Sequence, residues 1–565
     1  MKTRKFLVIA IAFLPFFSTL KAQGILGGNV TGNFQIDGQT SRLDTVIGSR
    51  QIPEQMHLNA RADILYTNGG FSAGLRYEAY LNPIEGFRPE YEGQGIANYF
   101  ASYRTQNFAI TAGHFYEQFG NGLTLRAYED RFLGIDNAIR GFNVMYRPVK
   151  GVTLKGLIGQ QRYFWESRGL VRGVDGEISL NETFAKLADI KTQLTLGASF
   201  VSKYESKNGV NLNSYMEGYK LNLPENVGTA AVRMNLSHGG FTLQSEYARK
   251  GADPNDLNNY IYRKGQALWV SASYSQKGFS ANVQAKRVDN MGFRAVRTEK
   301  YKETMYINYI PSITLQHTYA FLSLYPYQTQ SIGEMGLQGD VIYKIKKGTL
   351  LGGKYGTDIH LNSSIITGLD MQGVYLPLLD STKLNAPGSE GYTSSFFSTG
   401  DLYYGDISLE ITKKLSSKVK LTATYGYVVY NPVIEGHEGA NHHNNVIVGD
   451  LTWKINKKNV LRFEAEWLGS DSKYDATVDD KRCGDWIMGL VEYNFASAWF
   501  ASVSDQYAYN DGIGNYYNVS VGYTKDATRL QIGYGKQREG IICIGGVCRS
   551  VPASNGLTFS ITTSF

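Results

Sequence analysis

From Gln23 onward the chain alternates apolar and polar residues in runs of about ten, each closed by a turn signal, which is the pattern of β-strands with two different faces. Phe71, Ala73, Leu75, Tyr77 and Ala79 share one face against Ser72, Gly74, Arg76, Glu78 and Tyr80. Phe241, Leu243 and Tyr247 oppose Thr242, Gln244 and Glu246; Val419, Leu421, Ala423, Tyr425 and Tyr427 oppose Lys418, Lys420, Thr422 and Thr424. Leu461, Phe463, Ala465 and Trp467 oppose Arg462, Glu464 and Glu466, and Tyr517, Val519, Val521 and Tyr523 oppose Asn518, Ser520 and Gly522. The last run does the same, with Leu557, Phe559, Ile561, Thr563 and Phe565 on one face and Thr558, Ser560, Thr562 and Ser564 on the other. One face of every strand is apolar and the other wet.

A soluble sandwich would struggle to hold one core over so long a chain, and no Pro-, Ser- or Gly-rich linker divides it. The turns alternate instead between short and long. Short ones fall at Asn68-Gly69-Gly70, Lys150-Gly151, His238-Gly239-Gly240, Lys277-Gly278, Lys347-Gly348, Ser416-Ser417 and Asn456 to Asn459. Long polar loops are expected over Asp37–Gln55, Pro83–Ile96, Lys207–Val227, Asn290–Gln330, Asn362–Gly400 and Asn431–Asn445. This rhythm predicts an all-β fold, a transmembrane antiparallel β-barrel of about 24 strands (roughly 22–26) with no separate plug domain. A short helix is expected near Glu182–Leu187. So wide a barrel leaves a lumen that its wall side chains cannot fill, so loops must plug it or it conducts.

Composition and address sharpen the reading. Lys2, Arg4 and Lys5 precede an apolar run from Phe6 to Phe17 and a small-residue site at Ala22, which predicts a secretory signal peptide over 1–22 and a single barrel domain over 23–565. The apolar run is short for a spanning helix, and backbone in lipid is satisfied only by helices or closed sheets. Forty tyrosines suit two interfacial girdles, and 13 prolines interrupt few strands. The 57 basic and 50 acidic residues are interspersed, so the net charge of +7 marks no nucleic-acid surface. The expected location is the outer membrane with both termini periplasmic, in contact with outer-membrane lipid and, in a surface assembly, with other outer-membrane proteins.

Candidate chemistry is sparse. The richest stretch between strands runs from Gly113 to Asn137, where Glu117, Arg126, Glu129, Asp130, Arg131 and Asp136 accompany apolar residues. Folded inward, these charges would set a field across a pore; held outside, they would pair among themselves or with the wall. Cys543 and Cys548 bracket Ile-Gly-Gly-Val and are candidates for a hairpin disulfide, leaving Cys483 over. His437-Glu438-Gly439-Ala440-Asn441 lacks the second histidine of a zinc-protease helix, and His442 and His443 offer only weak surface metal binding. No catalytic set, cofactor fingerprint or metal site is expected.

The run Phe119-Gly120-Asn121-Gly122-Leu123, with Tyr128-Glu129-Asp130-Arg131, Gly134-Ile135-Asp136-Asn137, Cys543 to Arg549 and the Pro552-to-Phe565 ending, resembles a Bacteroidetes-type outer-membrane β-barrel family of unknown function, over the whole mature chain. The resemblance implies the fold and the membrane but no activity. It also implies that the terminal strand, with Phe565 as its assembly signal, is read by the barrel-assembly machinery. TonB-dependent receptors differ by a globular plug domain ahead of the first strand, whereas strand patterning here starts near Gly24. The function expected is a porin-like or gated channel for a polar solute; the alternative is a structural or accessory barrel whose lumen its own loops block.

Overall fold

A computed structural model describes residues 27–51, 56–206, 221–299, 301, 304–373, 387–437, 439–473, 481–509, 514–544 and 547–565. The expected signal peptide lies outside the described residues, as do most of the expected 207–227 loop and Glu438. The alternating runs form one 24-stranded antiparallel sheet closed on itself. Closure is made by the last strand, Ser554–Ser564, which pairs on one side with Thr528–Gln537 and on the other with the first strand, Asn29–Gln39, in a register that sets Ile36 opposite Ile561.

That seam follows from side-chain size. On the outer face, the rings of Phe565 and Phe559 cover Gly32 and Gly38, standing where a Cβ would otherwise project. The Gly32 and Phe565 backbones exchange both amide hydrogen bonds, each 3.0 Å. A sheet without an edge leaves no unpaired strand for a second chain to join.

The faces fall as the alternation requires. Leu75, Tyr425, Phe463, Trp467, Val519 and Val521 lie exposed on the outside, while Arg76, Glu78, Glu246, Asp406, Asp450, Glu464 and Glu466 are buried within the lumen. Outward aromatic residues gather at the short-turn end, among them Phe71, Tyr103, Tyr146, Tyr274, Tyr343, Trp453 and Trp499, where amphipathic rings meet a membrane–water boundary. All seven expected short turns sit at this end. It also carries the small helix Leu180–Thr183, followed by a 3-10 turn at Ala185–Leu187.

The structure departs from expectation in three places. Most of the described residues of the supposed Asn362–Gly400 loop are strand, because the alternation continues through Thr357–Gly373 and Tyr392–Lys414. His442 and His443 open a strand rather than sitting in a surface loop: His442 is buried, and His443 Nδ1 lies 2.7 Å from the Tyr427 hydroxyl. The third departure concerns the expected external loop Asn290–Gln330, whose described residues turn into the barrel.

Candidate functional site

Two segments between strands fill the lumen. The first, residues 116–138, leaves the strand Phe108–Phe115 and returns as Ile139–Tyr146; the second, residues 290–332, joins Phe279–Asp289 to Gly333–Ile345. Both carry apolar side chains, which cannot be left in a water-filled lumen without cost. Phe119, Leu123 and Leu125 of the first are fully buried, as are Phe293, Ile307, Ile313 and Phe321 of the second. They pack into two apolar clusters, one around Phe119, Leu125 and Ile307 and the other around Phe321, Leu322, Tyr325 and Trp486. Glycines on the lumen face of the wall make room: Phe119 occupies the space a Cβ on Gly173 would take, Ile313 that of Gly336 and Leu322 that of Gly426.

The segments are tied to each other through their backbones. The Arg126 amide donates to the Ile307 carbonyl and the Tyr309 amide to the Gly122 carbonyl, both at 2.8 Å. Asn308 Nδ2 donates to the Leu123 carbonyl at 3.2 Å, and Asn137 Nδ2 to that of Tyr306 at 3.1 Å. Together they span the lumen from one wall to the other. On the near side the Asn121 amide donates to Glu246 at 2.6 Å and the Thr124 and Ser199 hydroxyls meet at 3.0 Å. On the far side Glu466 accepts the backbone amides of Ala320 and Phe321, each at 2.9 Å.

The expected site residues fall into two groups. Glu129, Arg131 and Asp136 converge on charged wall residues. Asp136 accepts from Arg162 at 2.6 Å, Arg76 at 3.1 Å and the Tyr116 hydroxyl at 3.0 Å. Glu129 pairs with Arg61 and, at 3.2 Å, with Arg76. Arg131 reaches Glu129 at 3.4 Å and Asp63 at 3.5 Å. Arg162 also binds Glu78 at 2.6 Å, so the network alternates in sign and each charge is met by its opposite, as buried charges require. The other three lie apart. Glu117 pairs with Lys155 at 2.8 Å, Asp130 accepts the Leu133 amide at 2.9 Å, and the Arg126 guanidinium is sandwiched between Tyr128 and Tyr309, 4.5 and 4.0 Å from their centroids.

Sequence reasoning missed the wall arginines Arg61 and Arg162 and the whole second segment. The signal for the second segment was its spacing of Ile307, Ile310, Ile313, Phe321, Leu322 and Leu324, too apolar for a solvated loop.

At the long-loop end a cavity of about 100 Å³ lies above the two segments. Its walls include Phe87 and Tyr91 from residues 82–92, Phe164, Tyr128 and Tyr309, with Arg549 reaching in from the hairpin Gly540–Ile544 and Val547–Val551. That hairpin carries the two cysteines: the backbone register sets Cys543 opposite Cys548, and Cys548 is disulfide-bonded, while Cys483 is buried with its Sγ 3.8 Å from His442 Nδ1. Beside the cavity, burial pushes the Glu85 carboxyl up to about 7. Burial also lowers the Arg549 guanidinium below its usual value. At the closing seam, Asp44 is held below the usual carboxylate range by Lys536, 2.8 Å away, against the opposing effect of burial. Among the described residues no cluster of three or more His, Cys, Asp or Glu side chains is arranged to hold a metal ion.

Several solved outer-membrane proteins are similar in outline. The ferric enterobactin receptor of Pseudomonas aeruginosa, in complex with enterobactin, is 10% identical with a TM-score of 0.44, over 95% of this chain and 81% of that one. The translocation pore of the P pilus usher PapC is 9% identical with a TM-score of 0.42, over 94% and 99%. The outer membrane protein opdK of Pseudomonas aeruginosa is 10% identical with a TM-score of 0.30, over 73% and 97%. No curated protein sequence matches the chain. Over residues 1–565 the chain matches the profile described as Family of unknown function (DUF6029), and it belongs to that family.

Proposed function

We propose that the protein is an outer-membrane transport barrel held shut at rest by its own loops, a gated channel for a polar solute in which residues 116–138 act as the gating segment and its charges line the passage when it moves. The apolar outer face and aromatic girdle support an outer-membrane site, and the short-turn end, where the first strand starts and the last one stops, would face the periplasm. The observation that carries the gating reading is the makeup of one side of the plug. Between residues 129–136 and the strands His57–Asn68, Phe71–Leu81 and Val152–Tyr163, the contact is made by carboxylates and guanidiniums. Such groups exchange partners for water or a solute at far lower cost than an apolar contact can be opened to water.

A second reading, an accessory barrel with a permanent block, draws on the apolar packing of Phe119 and Phe321 and on the backbone bonds between the segments. A lock separates the two. Thr124→Cys and Ser199→Cys together would tie the gating segment to the wall by a disulfide. Proteoliposomes carrying this variant are expected to pass a labelled neutral trisaccharide only after reduction. Absence of flux in reduced, oxidised and Asp136→Ala protein alike would refute transport and favour the accessory reading.

A further inference from the structure

The cavity above the plug holds an unpaired cation among aromatic rings. Arg549 stacks over Phe87, its guanidinium carbon 4.5 Å from the ring centroid, and its Nε and Nη1 are buried without a hydrogen-bond partner among the described residues. Buried guanidinium donors are almost always satisfied, so two on one side chain call for a partner that the described residues do not supply. The Thr329 hydroxyl, on the cavity wall, is also buried and unpartnered.

The other charges lining the cavity are committed. Arg162 spends both terminal nitrogens on Glu78 and Asp136 and its Nε on the Phe164 carbonyl, 2.8 Å away. Asp136 is taken by Arg162, Arg76 and Tyr116. Arg88 lies over the Tyr301 ring at 4.1 Å. Asp130, the carboxylate whose field reaches Arg549, accepts the Leu133 amide. The uncommitted charge facing the cavity is therefore positive.

The walls define the rest of the ligand. Tyr91 and Phe164 meet edge to face, with centroids 4.7 Å apart, and the Tyr91 hydroxyl is fixed by the Gly134 carbonyl at 2.8 Å. Its ring therefore offers an apolar surface in a set orientation. A volume of about 100 Å³, below the ~150 Å³ of an apolar cavity that takes up benzene, limits the ligand to a single small ring.

We infer that this cavity is a binding site for a small aromatic carboxylate, its ring against Tyr91, Phe164 and Phe87 and its carboxylate on the Arg549 guanidinium. A charge-assisted hydrogen bond to carboxylate is what an otherwise unpaired guanidinium favours most. The site rests on the plugged-barrel reading only in that residues 116–138 and 290–332 must be docked to form its floor.

The test is calorimetric titration of the full-length protein in detergent with benzoate, benzamide and benzylamine, which share a ring and differ in charge. Benzoate is expected to bind at least tenfold more tightly than benzamide, and benzylamine not at all. Arg549→Gln should remove the preference for benzoate over benzamide while leaving benzamide binding within twofold, and Thr329→Val should weaken benzoate by less than Arg549→Gln does. Equal binding of benzoate and benzamide by the wild type, tighter binding of benzylamine, or no benzoate binding up to 50 mM overturns the assignment. Hydrogen exchange at the Arg126 and Tyr309 amides, run on the same samples, separates these failures from an undocked plug: slow exchange with no benzoate binding refutes the site alone, whereas fast exchange refutes the plugged barrel beneath it.

Discussion

Replacing Asp136 by alanine removes the carboxylate that ties residues 116–138 most firmly to the wall. Its side chain is 8% exposed and that of Arg162 3%, so both groups are out of reach of bulk water. Removing one partner of a buried ion pair costs about 3–5 kcal/mol, because the remaining charge is left unmatched. The lower end applies here, since Arg162 keeps Glu78 at 2.6 Å and Arg76 keeps Asp63 at 2.7 Å. A loss of about 3 kcal/mol corresponds to a roughly 150-fold shift of the docking equilibrium toward the undocked segment.

Native-state hydrogen exchange reads that shift directly, because amides closed only by docking exchange in proportion to the open population. The Arg126 and Tyr309 amides, bonded across the two segments to the Ile307 and Gly122 carbonyls, should lose protection by about two orders of magnitude in Asp136→Ala, while those of the strand Phe241–Lys250 stay unchanged. Protection at Arg126 and Tyr309 equal to wild type, with faster exchange confined to residue 136 and its neighbours, would show that the segment is not held by this network. Loss of protection in every strand would instead mean that the carboxylate supports the barrel and not the gate.

Three further outcomes follow from the same geometry. Gly426→Leu puts a side chain into the space that Leu322 fills, and overpacking of about 1–3 kcal/mol should undock the second segment, read as new protease cleavage within residues 314–330 of an intact barrel. The Glu85 carboxyl, raised to about 7 from 4.5 by burial, keeps its proton in the folded state where an unfolded chain loses it. Docking of residues 82–92 should therefore be strongest below about pH 4.5 and weaken as the pH rises to about 7, and Glu85→Gln should abolish that dependence in hydrogen exchange. Deleting Phe565 uncovers Gly32 and removes two seam hydrogen bonds, so membrane-inserted, heat-modifiable barrel should fall severalfold; normal levels would deny the residue an assembly role.

The barrel was legible in the chain because each wall strand faces two uniform environments, and a period of two survives wherever that holds. Leu461 to Trp467 could be read correctly with no knowledge of neighbours. The seam was legible in part: Phe565 announced a closing strand, but its fit over Gly32 depends on residues more than five hundred positions apart. The plug was harder. Residues 116–138 drew notice for their charges, yet the partners that give those charges meaning, Arg61, Arg76 and Arg162, are each one polar residue in an ordinary alternating strand. The stretch Asn290–Gln330 carries enough polar residues at its length to suggest an external loop. Its apolar side chains match glycines such as Gly336 and Gly426, whose value as sockets appears only when the wall is closed around them.

The central claim, that the lumen is shut by the chain's own two segments, is tested most directly by single-channel conductance in planar bilayers, comparing the wild type with a variant in which residues 119–136 and 294–329 are each replaced by a short Gly-Ser linker. The account predicts a quiet baseline with rare openings for the wild type and a large, steady conductance for the variant. A wild-type barrel that conducts steadily on insertion, or a variant that stays as quiet as the wild type, would contradict it.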